Sequence, residues 1–556
     1  MSAVASPCVG LQTADNGRFL RQWFEVAVSR IGFNYKDAAS AADSGRKWFP
    51  HNKGGAFRKW YGNQDFIVNW ENDGFEIKNF VNDNGKQLSR PQNLKYYFKQ
   101  SISWSKIISG KISFRYFPDG YIFDCAALSL FAEKHDANEI ILGYLNSKIV
   151  SFLSELLSPT MNCEVGQIAS IPIFINSNQN IKDLVQQNIS ISKSDWDAHE
   201  TSWDFQRNEL LAIDEQTYID NIRHEEERIF KASGEHICID PAAPQLGSLE
   251  WRTEQYKQKW EHLFHQLHSN EEELNRQFIE IYGLQDELTP DVPLDEVTIL
   301  QQGEISIIPA PGDTSGKQAS IQWNDNAIIK QLISYAVGCM MGRYSLDKDG
   351  LILANQGDGI DQYNELVPNS RFMIDDDGIL PLMSSNSEFT DIATRRFKFW
   401  LEVAFGEDSL VENLNFVEKC LGKSIDDYFV KDFWKDHKKM YQNRPIYWLF
   451  SSKKGSFQCL VYMHRMNPYT AEKIRTNYLL PHIEWLVSKQ SEMQENIANL
   501  STKERKELDN IVKQIDECRE YHERLHTIAD EQIAFDLDDG IIVNHAKFGD
   551  VLTKLK

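Results

Sequence analysis

The sequence predicts an α+β protein of several domains, with a β-rich region first, a helical spacer next, and an α+β region with a long helix last. At 556 residues the chain exceeds what one hydrophobic core supports. Short runs of β-branched and aromatic residues, such as FIVNW and ISFRYF, are concentrated before residue 118. Apolar residues recur at helical spacing farther along. The expected regions are 1–180, 181–295, 296–470 and 471–556.

The first half of the chain contains most of the predicted strands. We expect a helix over 19–31, short strands over 45–118 separated by Gly and Asn turns, and a helix over 138–157. SPTMNCEVGQIASIPIF predicts a loop followed by a short strand. Residues 249–282 predict a helix, because aromatic and aliphatic side chains recur there at spacings of three to seven.

In the second half, FKFWLEVAFG predicts a helix that ends at Gly406. RPIYWLF and SFQCLVYMHRM predict two neighbouring strands. Residues 470–530 predict mostly one long helix, which would pack on the 249–282 helices or on another subunit. Its expected heptad seam consists of Leu508, Ile511, Ile515, Cys518, His522 and Leu525.

Composition favours a reduced, cytoplasmic, globular chain. Hydrophobic residues make up 42% and charged residues 25% of the sequence, as in ordinary soluble proteins. It has no apolar run of about 18 residues that would span a membrane, and its first residues lack the pattern of a signal peptide. The 8 cysteines are scattered without a CxxC pair, which argues against a zinc ribbon or a disulfide framework.

Residues 45–118, which we call the basic island, carry a net positive charge, whereas the whole chain is negatively charged. The island holds 13 Lys and Arg against 5 Asp and Glu, whereas the chain has a net charge of −22. Trp and Tyr interleave with these cations, a pattern typical of a surface that contacts phosphates and bases. The alternative is a half-buried β-rich domain with solvated lysines. Candidate DNA-contacting residues are Asn52, Lys53, Arg58, Lys59, Gln64, Arg90, Asn93, Lys95, Lys99 and Arg115.

Segments along the whole chain carry a family resemblance. LNSK at 145–148 and VGQIASIPI at 165–173 resemble the end of a target-recognition domain of Taq-type adenine methyltransferases, type IIG restriction enzymes and type I specificity subunits. The wider set resembles the C-terminal half of the PglX family, the adenine-specific DNA methyltransferases of BREX phage defence. That set includes LQTADNGRFLRQW, SWSKIISGKISFRYFPDGYIFD, DWDAHETSWDF, GCMMGRYSLDKDGLILAN, RPIYWLFSS and FDLDDGIIVNHAKF.

The resemblance implies sequence-specific recognition of double-stranded DNA for N6-adenine methylation. It also implies a catalytic half that binds S-adenosylmethionine, on the same or a separate chain, and makes other BREX proteins candidate partners. The NPPY and F-x-G-x-G motifs of that half do not occur here, so we expect neither a cofactor nor catalytic residues in this chain. The near match Asn467-Pro468-Tyr469 is interpreted as a helix N-cap with Pro at the first helical position.

Two alternatives remain open at this point. A type IIG-like restriction fragment would have nuclease activity, and Asp73, Glu76 and Lys78 have some features of a metal-dependent nuclease site. If these residues lay in a strand, Glu76 and Lys78 would share one face, which also suits a plain cross-strand pair. The other alternative is a DNA-binding interaction module without catalytic activity.

Overall fold

The computed structural model describes residues 1–108, 110–157, 162–174, 178–216, 218–220, 231, 244–309 and 319–555. As predicted, the protein is α+β. It has two compact units, each built from separated segments of the chain. Unit 1 comprises Met1–Trp23, Val28–Phe205 and Tyr256–Ala327, and unit 2 comprises Phe24–Ala27, Gln206–Gln255 and Ile328–Lys556.

Unit 1 contains two four-stranded sheets and a separate two-stranded antiparallel sheet. Its strands are β1 (Ala5–Cys8), β2 (Leu20–Gln22), β3 (Trp48–Asn52), β4 (Phe66–Asn69), β5 (Ser101–Ser105), β6 (Arg115–Phe117), β7 (Ile122–Phe123), β8 (Ala127–Ala132), β9 (Ile305–Pro309) and β10 (Ala319–Trp323). One sheet has the antiparallel order β1-β8-β5-β6. The other has the order β2-β4-β3-β7, in which β3 and β7 are parallel. The predicted short strands of the basic island are therefore confirmed.

The alternation of side chains along β5 shows how unit 1 is held together. Ile102 and Trp104 lie on one face of the strand and are fully buried. Ser103 lies on the other face, where its hydroxyl accepts a hydrogen bond of 2.6 Å from the Asn52 amide of β3. Strands of the two sheets are thus joined by a buried polar contact. The tryptophans of the basic island are all at most 1% exposed, and they are Trp48, Trp60, Trp70 and Trp104.

Helices complete unit 1. They are Asn16–Phe19, Ala38–Asp43, Glu71–Lys78, Asn138–Leu145, Lys148–Leu157, Val165–Ser170 and Gln179–Asp197. The predicted helix over 249–282 is confirmed as Leu249–Tyr282, whose residues from Tyr256 onward belong to unit 1. This helix buries polar side chains as well as apolar ones. Its Asn275, for example, accepts a hydrogen bond of 2.8 Å from the backbone of Lys148.

Unit 2 is mainly helical around one antiparallel sheet. The sheet has the order β11-β13-β12, with β11 at Ile379–Pro381, β12 at Tyr447–Ser451 and β13 at Gln458–Tyr462. The last two are the neighbouring strands that the sequence predicts. The helices are Asp325–Met340 (from Ile328 onward), Ile360–Leu366, Ala393–Phe405, Leu410–Leu421, Ile425–Lys431, Phe433–Met440, Thr470–Lys473, Leu480–Glu495, Thr502–Glu531 and Ile541–Ala546. Gly406 ends one of them at a φ of 93°, as predicted.

The predicted long helix over 470–530 is interrupted. A π-helical turn, Ile474–Leu479, precedes Leu480–Glu495, and a new helix starts after the capping residue Ser501. The helix Thr502–Glu531 packs on these preceding helices. Its buried seam contains Tyr521 where the heptad predicted His522, and the buried Tyr521 hydroxyl donates a hydrogen bond of 2.8 Å to the Val551 carbonyl.

Three other predicted elements differ from the structure. The expected helix over 19–31 is replaced after Phe19 by β2, in which Leu20 pairs with Val68 of β4. The expected strand after the loop is instead the helix Val165–Ser170, which a capping box at Glu164 begins. The helix predicted over 138–157 is divided at residues 146–147. Strand pairing at Leu20 and helix capping at Glu164 therefore determine the conformation of the first two segments.

The helix Glu71–Lys78 contains a left-handed turn. Asn72, Asp73 and Gly74 have φ angles of 51°, 57° and 69°. A Cβ atom on Gly74 would lie 2.7 Å from the Trp70 ring. Asn and Gly are the residues that adopt this conformation most readily. The turn therefore depends on both the conformational freedom and the small size of Gly74.

Candidate nucleic-acid interface

Two cations of the basic island are buried in ion pairs with helices of unit 1. Arg58 Nη1 lies 3.0 Å from Asp195 Oδ2, and the guanidinium lies 5.0 Å from the centre of the Trp196 ring. Lys59 Nζ pairs with Glu271, whose other oxygen accepts a hydrogen bond of 2.6 Å from Trp60 Nε1. These contacts attach the island to the helices Gln179–Asp197 and Leu249–Tyr282.

The buried charges around Arg58 form a larger network. His199 Nε2 lies 2.6 Å from Glu304 Oε1, and Leu300 donates its backbone N–H to Asp195. Burial alone lowers the pKa of His199, but the charges of Glu304 and Asp195 outweigh it and raise that pKa to about 9. His199 is therefore protonated at neutral pH and contributes a second buried ion pair.

Three more candidate residues lie inside unit 1. Arg115 is fully buried and donates to the Arg58 carbonyl at 3.1 Å. Burial and the Arg58 charge lower its pKa to about 10. Gln64 accepts a hydrogen bond of 2.5 Å from the Tyr121 hydroxyl, and Asn52 makes the contact to Ser103 described above. With Arg58 and Lys59, these residues hold the island together from within.

Lys53 occupies an intermediate position. Its Nζ lies 2.8 Å from Asp124 Oδ2, and 24% of its side chain is exposed. The same oxygen lies 3.0 Å from Nε2 of the buried His51. Burial raises the pKa of Asp124, but the hydrogen bonds and charges of His51 and Lys53 outweigh it and bring that pKa to about 2. The following loop is fixed by hydrogen bonds between Gly55 and the Ser105 hydroxyl.

The remaining four candidates are exposed and close together in sequence. Arg90, Asn93, Lys95 and Lys99 all lie on the surface of unit 1. The backbone of Arg90 pairs with that of Gln12 at 3.0 and 2.8 Å, which fixes the start of the stretch. The other three are held by single contacts: Asn93 donates to the Val9 carbonyl, Lys95 lies over the Tyr96 ring, and Lys99 donates to the Lys36 carbonyl.

A hairpin just before Arg90 supplies further side chains that the sequence did not single out. Val81 pairs with Gln87, and the Asn82 side chain accepts from the backbone of Asn84 and Lys86 at 3.1 and 2.9 Å. Within the described parts of the chain, Asn84, Lys86 and Arg90 have no side-chain hydrogen-bond partner. The NDNG turn is the sequence signal for this hairpin. We call residues 82–99 the exposed basic segment.

The exposed basic segment has the composition of a DNA-contacting surface. It contains four cations and a single acidic residue, Asp83, in a chain of net charge −22. Arg and Asn can read base edges, and Lys can contact phosphates. Backbone pairing at Gln12 and at Val81 holds the segment on a rigid scaffold. The segment therefore presents its cations to solvent, whereas Arg58, Lys59 and Arg115 are held in the interior.

The residues considered for a nuclease have other partners. Glu76 pairs with Arg18 at 2.6 Å and also accepts from Asn69, while Asp73 pairs with Lys78 at 2.6 Å. All three nuclease candidates lie in the helix Glu71–Lys78 rather than in a strand. In the described ranges, no group of three or more His, Cys, Asp or Glu side chains could hold a metal ion. Asn467–Tyr469 precedes the helix Thr470–Lys473, as predicted, but the N-cap is Tyr469 rather than Asn467, so Pro468 is not at N1.

Comparisons with known proteins show which proteins the chain is related to. The adenine-specific methyltransferase PglX of Lacticaseibacillus casei (strain Zhang) is 36% identical in an alignment of 556 residues, and this alignment covers 97% of the present chain. The adenine-specific methyltransferase BrxX of Escherichia coli O9:H4 (strain HS) is 34% identical over 559 residues, again covering 97% of this chain. The chain is homologous to PglX and BrxX.

The homology extends over a minor part of each relative. The chain spans 42% of the length of PglX and 42% of the length of BrxX. No protein-family model matches the sequence. Among the described residues, no helix is both long enough and apolar enough to cross a membrane.

Proposed function

We propose that this chain recognises a specific sequence in double-stranded DNA for a PglX-type adenine N6-methyltransferase of BREX phage defence. A catalytic half, on the same or a separate chain, would supply S-adenosylmethionine binding and methyl transfer. The observation that carries the proposal is the exposed basic segment in an acidic chain. Homology to two adenine-specific methyltransferases over 97% of the chain supports it.

The polar residues of the basic island would have different tasks, depending on their type and exposure. Lys86, Lys95 and Lys99 would contact phosphates, which position the protein on DNA but carry little sequence information. Arg90, Asn84 and Asn93 would read base edges, because Arg can bond guanine and Asn can bond adenine in the major groove. The buried Arg58 and Lys59 would hold this surface on its helical support.

Salt dependence tests the phosphate contacts. Replacing Lys95 or Lys99 with Ala should reduce the slope of log K against log salt concentration by about 1 per residue, for target and random DNA alike. Lys134→Ala is a matched control, because Lys134 is an exposed lysine of unit 1 outside the segment. Fluorescence anisotropy with short duplexes provides the measurement. Unchanged slopes for both variants would refute the proposed surface.

Base reading requires a different readout. Arg90→Ala and Asn84→Ala should each reduce the preference for target over random DNA by about 1–3 kcal/mol. Their effect on binding to random DNA should be smaller.

Transfer of specificity is the stronger test. The basic island of a relative with a different recognition sequence should change the methylated site once a catalytic half is supplied. Because the four island tryptophans are buried, the graft must first show a cooperative melt close to that of the parent. A folded graft that leaves the methylated sequence unchanged would place specificity elsewhere.

A further inference from the structure

We infer that unit 2 has a second DNA-binding site, a groove that holds the phosphate backbone of duplex DNA independently of base sequence. The groove has a volume of about 880 Å³. Its walls come from the helices Ile425–Lys431 and Phe433–Met440, the turn between β12 and β13, the helix Thr502–Glu531 and the last residues of the chain. The choice of DNA as ligand rests on the proposed function.

The groove is lined mainly by positive charges, whereas the protein as a whole is negatively charged. Seven lysines and arginines line it, against the two carboxylates of Glu520 and Asp550, in a chain of net charge −22. Lys431 and Lys435 pair with Asp427 and Asp432 at the surface. Exposed pairs of this kind contribute little energy, so a phosphate can replace the carboxylate at small cost.

Other cations of the groove have no carboxylate partner. In the part of the chain that the structure describes, no carboxylate lies within ion-pairing distance of Lys453, Lys454, Arg524 or Lys554. The Nε atom of Arg524 is buried and lacks a hydrogen-bond acceptor among the same residues. Arg524 also lines the groove, and its planar guanidinium group is well suited to bind a phosphate.

The turn that carries Lys453 and Lys454 is held by hydrogen bonds to the helix Thr502–Glu531. Glu517 of the long helix accepts hydrogen bonds from the Lys454 backbone at 2.6 Å and from the Ser456 hydroxyl at 2.7 Å. Gly455 takes a φ of 80°, which permits the tight return into β13. The two lysines are therefore presented at a fixed place on the groove wall, and binding orders little additional backbone.

The exposure of aromatic side chains in the groove indicates whether it binds duplex or single-stranded DNA. Proteins that bind single strands stack bases on exposed aromatic side chains. Here Phe429 and Trp434 are 1% and 6% exposed, and Trp434 Nε1 donates to the Tyr447 carbonyl. The groove thus offers charge without a stacking surface, which favours the backbone of a duplex.

The test uses the whole chain and a random 25-base-pair duplex. Lys453→Glu combined with Lys454→Glu should weaken binding at about 0.1 M salt by tenfold or more and lower the salt slope by about 2. Lys503→Glu combined with Lys506→Glu makes the same charge change at exposed positions of the long helix and should have little effect. Equal losses in both double variants, or an unchanged slope in the first, would overturn the inference.

Two further arms separate the alternatives. If wild type binds poly-L-glutamate as tightly as DNA and both depend on Lys453 and Lys454, the groove binds an acidic protein instead. If the turn variant fails to fold, Lys435→Glu with Lys554→Glu repeats the test on other walls of the groove. Loss of binding in groove variants but not in Lys95 and Lys99 variants would refute the surface proposed for unit 1 and leave the groove intact.

Discussion

The guanidinium of Arg58 lies 3.0 Å from the carboxylate of Asp195, and their side chains are 4% and 1% exposed. The pair joins residues 137 positions apart. Its burial means that removing one partner leaves an uncompensated charge in the interior, which costs far more than losing a surface pair.

Arg58→Met should therefore lower the free energy of unfolding by about 3–5 kcal/mol. Adding Asp195→Asn should recover part of the loss, because the remaining charge is removed while an acceptor for the Leu300 N–H is kept. The urea midpoint of tryptophan fluorescence provides the measurement. Arg46→Met, at an exposed position of the same unit, serves as control. If Arg58→Met unfolds at the control's urea concentration, the pair has no structural importance.

Two glycines allow strain and steric clash to be separated. Gly74 and Gly85 have φ angles of 69° and 74°, yet a Cβ would meet the Trp70 ring at 2.7 Å on Gly74 and nothing within 4 Å on Gly85. Gly85→Ala should cost about 1–2 kcal/mol, from the left-handed conformation alone. Gly74→Ala should cost about 1–3 kcal/mol more. Equal urea midpoints for the two variants would contradict the close contact with Trp70.

Unit 2 should show a pH dependence that originates at Asp375. Burial and then the charge of Asp377 raise the pKa of Asp375 to about 7. Because this pKa is raised in the folded state, the contribution of Asp375 to stability is fully present below about pH 4 and is lost as the pH rises through about 7.

Asp375→Asn keeps an acceptor for the backbone N–H groups of Gly378 and Ile379, so it should remove the pH dependence without removing those bonds. Between pH 5 and pH 8, the melting temperature of the variant should rise relative to wild type. The neighbouring, exposed Asp376→Asn is the control and should follow wild type at every pH. Parallel curves for Asp375→Asn and wild type would show that Asp375 does not titrate in this range.

The isolated chain should neither bind S-adenosylmethionine nor methylate DNA, because it contains no NPPY or F-x-G-x-G motif. Isothermal titration calorimetry checks the first expectation, and transfer of a labelled methyl group to target DNA checks the second. Addition of the catalytic half is the positive control. Micromolar cofactor binding by the chain alone would show that another part of the sequence forms a cofactor site.

Local sequence patterns predicted the elements whose conformation is decided locally. The helix Leu249–Tyr282 and the pair β12 and β13 follow from apolar spacing and β-branched composition. The segment over 19–31 did not follow, because Leu20 is in a strand only by pairing with Val68. Tertiary pairing therefore overrode a helical pattern.

The candidate site was predictable in composition but not in exposure. A lysine in a cationic segment has the same sequence signature whether it faces solvent or a distant carboxylate. Lys59 is buried because Glu271 lies beside it, 212 positions farther along the chain. Arg90 has no such partner among the described residues and stays on the surface. Sequence thus indicated the basic island, and long-range pairing determined which of its cations can contact a ligand.

The contacts of Glu25 limit when unit 2 can finish folding during synthesis. Glu25 belongs to unit 2, where its carboxylate pairs with Arg444 and accepts a hydrogen bond of 2.9 Å from the Ile541 backbone, 516 positions away. During synthesis this contact can form only after Ile541 has left the ribosome. Completion of unit 2 therefore waits for residues 516 positions beyond Glu25, and contacts so distant in sequence form slowly. Until then the neighbouring Phe24 and Val26, which are buried in the folded protein, are open to aggregation.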